Sequence, residues 1–118
     1  KRIANLRRES PALQRGLQFN LRMKGDEAAF YRVYQHRGTI QTALVLLNKG
    51  DAASTFSVGE YLQSGAWRDA FTGKRVDIGK QLRLEVPAHG VRVLFFDRPL
   101  TRKDLRARLA DSMARKDR

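Results

Sequence analysis

The period of the chain constrains it most. Across residues 17–97, apolar side chains recur at every second position, in short runs punctuated by turn residues at intervals of roughly 8–12. Leu17, Phe19, Leu21 and Met23 alternate with Gln18, Asn20 and Arg22, the pattern of a half-buried strand. Lys24-Gly25-Asp26-Glu27 is a polar turn, and a second strand is predicted from Ala28 to His36, with Phe30 and Tyr34 on one face. Arg37-Gly38 leads to Thr39–Asn48, whose Ala43-Leu44-Val45-Leu46-Leu47 run is apolar on both faces and predicts a central strand covered on both sides. Thr39, Ile40, Thr42 and Val45 and the bounding glycines favour strand over helix there. Further short strands are predicted at Ser54–Val58, Trp67–Phe71, Val76–Ile78, Leu82–Val86 and Val91–Phe96, separated by Gly, Pro, Asn and Asp. About eight short strands at this spacing predict an all-β antiparallel sandwich over residues 17–97.

The period lengthens at both ends. Ile3 and Leu6 share a helical face among charged neighbours, and Pro11 ends that helix near Glu9, so residues 1–16 read as the end of a helix and a linker. After Asp97-Arg98-Pro99, Leu105, Leu109 and Met113 recur every four residues, an amphipathic helix within 98–118. Thr101 followed three positions later by Asp104 suggests a capping box at its start. The first residues, Lys1-Arg2-Ile3, lack a methionine and any signal-peptide character, as expected for a segment of a longer polypeptide.

Charge follows the same division. The net charge of +12 comes from 24 Lys and Arg against 12 Asp and Glu. Residues 1–24 carry +6, residues 98–118 carry +5, and the intervening body only +1. A nucleic-acid binder would more often gather its cations on the folded face that reads the ligand, so nucleic acid is disfavoured as a partner. The basic helix reads better as a solvated face docked through its leucines than as a tether to nucleic acid or acidic lipid. No run of apolar residues is long enough for a membrane-spanning helix. The absence of cysteine excludes disulfides and thiolate zinc sites and leaves the redox compartment unread.

Catalytic patterns fail residue by residue. His36 and His89 are the only histidines and belong to no ligand motif, so no metal or cofactor is expected. No Gly-x-Ser-x-Gly occurs. Thr72-Gly73-Lys74 departs from a phosphate loop, because Arg68 stands where its first glycine belongs and Arg75 where Ser or Thr should follow. The carboxylates of the body, Asp26, Glu27, Asp51, Glu60, Asp69, Asp77, Glu85 and Asp97, fall mostly in turns or on polar strand faces. No catalytic residue is assigned. Among the aromatics, Tyr61, Trp67 and Tyr31 are the candidates for stacking on a sugar, against the alternative that they fill the core. Tyr61, in a loop beside Gly59 and Glu60, is the one expected to be most exposed.

Three segments then carry a resemblance. Arg2 to Gly16 (RIANLRRESPALQRG) is similar to the L-x-x-L-R-x-x-x-P-A-L-x-x-G segment of the α-amylase superfamily of glycoside hydrolases. Gly65-Ala66-Trp67-Arg68-Asp69-Ala70-Phe71-Thr72-Gly73 resembles that family's G-x-W-x-D-x-x-T-G hairpin, and Val86-Pro87-Ala88-His89-Gly90-Val91-Arg92-Val93-Leu94 its closing L-P-A-H-G-V-x-V-L strand pair. Ala43–Asn48 fits the V-V-L-N strand between them. The resemblance spans residues 3–96 and leaves the helix after Pro99 unexplained. It implies the C-terminal β-sandwich, with Greek-key character, that follows the (β/α)8 barrel of enzymes such as amylases, cyclomaltodextrinases, neopullulanases and cyclodextrin glucanotransferases. Catalytic residues of the family lie in the barrel, so none is implied here, and the implied partner is the barrel of the same polypeptide, with α-glucan a secondary one. On this reading Asp69, Gly73, His89 and Gly90 are structural turn residues. Gly73 and Gly90 are expected at positive φ, Asp69 accepts hydrogen bonds from the Thr72-Gly73 turn, and the His89 ring bonds nearby backbone. A domain parted from its barrel would expose an apolar patch where the barrel packed. The rival readings are a carbohydrate-binding module using Tyr61, Trp67 or Tyr31, and a basic nucleic-acid-binding domain.

Overall fold

The computed structural model describes Ser10 and residues 12–13, 16–36 and 39–116. The helix expected over residues 1–9 lies outside the described residues. Eight strands form: β1 (Leu17–Lys24), β2 (Glu27–His36), β3 (Thr39–Asn48), β4 (Ser54–Val58), β5 (Gly65–Asp69), β6 (Arg75–Ile78), β7 (Leu82–Val86) and β8 (Gly90–Phe96); helix α1 (Lys103–Lys116) follows. The large sheet has the order β1-β2-β3-β8-β5-β6 and the small one pairs β4 with β7. All pairings are antiparallel. The chain leaves the large sheet for β4, returns for β5 and β6, leaves again for β7, and comes back as β8 between β3 and β5. These crossovers make it an all-β sandwich of Greek-key character.

The alternating pattern becomes two apolar layers. Tyr31, Val33, Leu44, Leu46, Trp67, Leu94 and Phe96 face inward and meet Phe56, Val58, Leu82 and Val86 of the small sheet. Leu100, Leu105 and Leu109 close the same core from α1 and the segment before it. Burying each of those leucines stabilises the fold by about 1.5–3 kcal/mol. On the outer face of the large sheet, Ala43, Val45, Val93 and Phe95 form a second cluster with Ala12 and Leu13. The run Ala43–Leu47 is therefore central between β2 and β8 and covered on both faces, as its composition requires.

Two strand expectations shift. In β1 the register slips between Asn20 and Arg22, so Leu21 is the extra residue of a bulge. A bulge reverses the facing of everything beyond it, and Met23, inward by simple alternation, is instead 60% exposed. The predicted Trp67–Phe71 strand is displaced toward the N-terminus: β5 ends at Asp69, and Ala70 and Phe71 belong to the turn.

Candidate functional site

The outer face of the large sheet is built by register. Phe30 lies opposite Val45, and Val45 opposite Val93, one apolar row across three strands. Ala43 lies opposite Phe95, and Phe95 opposite Arg68, whose guanidinium stands 5.0 Å from the Phe95 ring centroid and pairs with Asp97 at 3.2 Å. Tyr34, Ala70, Phe71 and Val91 pack at the margins of this cluster. The face is not bare. Ser10 donates from its hydroxyl to Gln41 Oε1 at 2.7 Å, and the Ala12 N–H donates to the same oxygen at 3.2 Å. Leu13 N–H donates to Ser10 Oγ and Gly16 N–H to the Ala12 carbonyl, a capped helical turn that seats Ala12 and Leu13 on the cluster. The exposed apolar patch expected of a severed domain is thus not found: among the described residues, Met23 is the one large hydrophobic side chain that is exposed.

The Trp67-x-Asp69 hairpin organises one end of the sheet. Asp69 ends β5, and its Oδ1 accepts from the N–H groups of Phe71 (2.8 Å) and Thr72 (3.0 Å) while its carbonyl accepts from Gly73 N–H (2.9 Å). The turn needs a left-handed residue, which Gly73 supplies at φ 74°. Burial alone would raise the Asp69 pKa; the Thr72 and Phe71 N–H groups and the Arg92 guanidinium outweigh it and hold the carboxyl below its usual value. Arg92 reaches Asp69 Oδ2 at 3.4 Å and the Glu85 carbonyl at 3.4 Å. Beside this turn opens a cleft of about 470 Å³ lined by Asp69, Phe71, Thr72, Lys74, Arg75, Val76 and Arg92.

The three aromatics singled out for sugar stacking do not form a platform. Tyr31 and Trp67 are 0% and 1% exposed and stack on each other at 6.2 Å, with Phe96 against the indole at 5.1 Å. Neither offers a ring to a ligand; at the centre of the sandwich their area is worth more inside than out. Their polar atoms are satisfied internally: the Trp67 indole N–H donates to the Gln63 carbonyl, and the Tyr31 hydroxyl donates to the Tyr61 carbonyl and accepts from Gln63 N–H. Tyr61 is half-buried rather than exposed, with Phe19 edge-on at 5.4 Å and the Arg108 guanidinium 5.8 Å from its ring centroid. Its φ of 56° places a non-glycine residue in left-handed backbone.

Gln63 is the residue that sequence reasoning missed. It is buried, and its Oε1 accepts from Thr101 N–H (2.9 Å) and Arg102 N–H (3.1 Å) at the start of α1. Its Nε2 donates to the Ser64 carbonyl and the Thr101 hydroxyl, both at 2.9 Å. The local Thr101–Asp104 capping box does not form, since the Thr101 hydroxyl is engaged by Gln63. Asp104 instead accepts from Leu105 N–H and Arg102 Nε, and the Arg102 bond holds its carboxyl below the usual range. Arg102 also donates to the Leu62 carbonyl, so the helix start is tied to the loop after β4 from both sides. Leu105 and Leu109 are buried as expected; the Met113 side chain lies outside the described residues.

The His89–Gly90 corner differs from its expectation. Left-handed backbone falls on His89 (φ 53°), not on Gly90. Gly90 answers a close approach: a Cβ there would lie 2.7 Å from Pro87 Cγ and 2.8 Å from its carbonyl oxygen. The His89 ring meets the Asp51 carboxylate at 2.7 Å in solvent instead of backbone, while the backbone N–H of His89 donates to the Gly50 carbonyl. Asn48 completes the corner from below, donating from Nδ2 to the Ala52 and Val86 carbonyls and accepting Gly50 N–H.

No family model and no curated protein matches the sequence. Solved structures do match. An Anoxybacillus α-amylase superposes with a TM-score of 0.65 at 19% identity, over 85% of this chain and 22% of its own. The α-amylase of Geobacillus thermoleovorans, solved with acarbose, gives 0.63 at 22% identity, over 86% of this chain and 22% of its own. α-Galactosidase I of Mortierella vinacea gives 0.56 at 23% identity, over 76% of this chain and 26% of its own. The likeness is one of fold. The chain spans about a quarter or less of the length of each of these glycoside hydrolases.

Proposed function

We propose that this chain is the non-catalytic C-terminal β-sandwich of a glycoside hydrolase or glucanotransferase acting on α-glucan, and that it packs on the catalytic (β/α)8 barrel and stabilises it. One observation carries the reading: nearly all of this sandwich superposes on about a fifth of two α-amylases, leaving the bulk of those enzymes without a counterpart here. The outer sheet face supports it. Its apolar rows, Phe30-Val45-Val93 and Ala43-Phe95, hold the Ser10–Leu13 turn, so the polypeptide that precedes the sandwich enters along this face. The inner face is covered by the small sheet and α1. On this reading Asp69, Gly73, His89 and Gly90 hold turns and take no part in chemistry.

The test uses the polypeptide that the upstream coding sequence specifies. A (β/α)8 pattern should precede residue 1, and deleting the sandwich should lower the melting temperature of the barrel. Val91→Glu, at the margin of the outer cluster, should weaken the barrel contact and leave the sandwich folded, whereas the control Arg83→Glu on the small sheet should leave both the contact and the fold intact. An upstream sequence without the barrel pattern, or a barrel equally stable without the sandwich, refutes the proposal.

A further inference from the structure

The cleft beside the β5–β6 turn lies where the margins of the two apolar clusters meet, at Phe71 and Val76, and its chemistry is of another kind. Register explains its composition. Asp69 follows Trp67 by two residues on β5, and Val76 pairs with Trp67 on β6, so both continue the inward-facing row beyond the indole. Arg92 precedes Leu94 by two residues on β8, and Leu94 lies opposite Asp69. Lys74, two before Val76, completes the group, with Arg75 and Phe71 at the rim. The core stops at Val76, and the sheet goes on as a charged wall. Three cations line the cleft against one carboxylate.

That carboxylate is already committed. Both Asp69 oxygens are engaged, Oδ1 by two backbone N–H groups and Oδ2 by Arg92. Arg92, by contrast, is held loosely, since both of its bonds are 3.4 Å long, near the limit of useful geometry. Lys74 makes no ion pair among the described residues. Arg75 is paired with Asp77 at 2.7 Å, with both side chains largely exposed, an ion pair that solvent weakens. The cleft therefore presents a guanidinium fork and an ammonium with unspent donors. A fork of that shape matches two oxygens of a phosphate, and a lysine adds a point charge. With the Asp77 carboxylate counted against Arg75 the cleft keeps a positive surplus, and an anion with several oxygens can take the fork and the ammonium together. The volume of about 470 Å³ falls within the range of about 300–1,000 Å³ of small-molecule sites. It exceeds what a bare ion needs, and Phe71 and Val76 offer apolar wall to carbon-bound hydrogens.

We propose that this cleft binds a phosphate monoester carried on a sugar-sized group, with Arg92 and Lys74 on the phosphate and Phe71 and Val76 beside the ring. The proposal needs no group from a barrel, since the residues named for the ligand all belong to this chain. The experiment is an NMR titration of the isotope-labelled 118-residue chain at low salt, with glucose 6-phosphate as the probe, and maltose and inorganic phosphate in parallel. Glucose 6-phosphate should shift the amide signals of Lys74, Val76 and Arg92 saturably, with inorganic phosphate weaker at the same residues and maltose silent there. Lys74→Gln should weaken binding about tenfold, as for loss of a charged hydrogen bond. Arg92→Lys, which keeps the charge and loses the fork, should weaken it by a similar factor while the thermal melt confirms a folded domain. No shift with glucose 6-phosphate overturns the proposal, as does equal binding by maltose that Lys74→Gln leaves unchanged. Inorganic phosphate binding as tightly as the ester overturns the assignment of the sugar-sized group.

Discussion

Replacing Gln63 with alanine tests what holds α1 to the sandwich. The substitution removes four hydrogen bonds at once: two accepted from Thr101 and Arg102 N–H, and two donated to the Ser64 carbonyl and the Thr101 hydroxyl. Losing a helix cap costs about 0.5–2 kcal/mol, and each donated bond contributes about 0.5–1.5 kcal/mol net. The sum is about 1.5–5 kcal/mol. At about 2.1 cal/mol/K per residue, a chain of 118 residues unfolds with an entropy near 0.25 kcal/mol/K, so a loss of about 3 kcal/mol lowers Tm by about 12 °C. Urea unfolding followed by circular dichroism at the helix band and by Trp67 fluorescence measures both the loss and its location. The decisive control is Thr101→Ala. Thr101 is exposed, and its hydroxyl accepts a bond from Gln63 without capping the helix, so its removal should cost less than about 1 kcal/mol. If Thr101→Ala proves the more damaging change and Gln63→Ala is nearly silent, the local box caps the helix after all and the reasoning fails.

Tyr31 should make the fold sensitive to alkali. Burial, only partly offset by the Gln63 N–H bond, pushes its pKa up to about 12. An unfolded tyrosine releases its proton near pH 10, so the folded state binds that proton more tightly. Stability is then intact below pH 10 and falls as pH rises from 10 toward 12, by up to about 2.7 kcal/mol for two pKa units. Urea midpoints across this range should show that fall in the native chain and not in Tyr31→Phe, which should itself lose about 1–3 kcal/mol at neutral pH by leaving Gln63 N–H unpaired. The two corner glycines should separate by mechanism in thermal melts. Gly73→Ala, at φ 74° in open space, should cost about 1–2 kcal/mol, and Gly73→Asn should recover part of it. Gly90→Ala should cost about 1–3 kcal/mol through contact with Pro87, and asparagine there should recover nothing.

These residues also mark where the sequence was legible. A strand half-buried on one face writes its own alternation, so all eight strands could be read from the spacing of residues such as Leu82, Leu84 and Val86. The double-sided run at Ala43–Leu47 even disclosed its central place. Turn chemistry was legible where the donors and acceptors are neighbours, as at Asp69 and Gly73. It failed where a distant group intervened. Thr101 and Asp104 have the right spacing for a cap, but Gln63, 38 residues away in sequence, supplies the acceptor. Leu21 looks like any alternating leucine until its register against Phe30 and Ala29 reveals the bulge. Likewise, nothing local tells whether Tyr31 and Trp67 meet each other or a ligand; only the placement of β2 and β5 in one sheet, with two strands between them, brings their inward rings together. The cationic cleft was hidden for the same reason, because Lys74 and Arg92 come together through the β5–β8 pairing.

The placement of β8 has a consequence for how the protein is made. Strands β1, β2 and β3 form a meander of near neighbours and can pair as soon as they leave the ribosome. The far edge of β3 cannot, because Asn48 waits for Gly90 and Thr42 for Phe96. Until then the most apolar strand of the chain presents a row of unpaired amides and carbonyls, a template for any other nascent chain. The intervening segment must also be gathered into a loop before the last strand can zip, an entropic toll that slows closure. Slow synthesis between β3 and β8 should therefore favour aggregates, while a chaperone that shields the β3 edge should raise the yield of soluble protein.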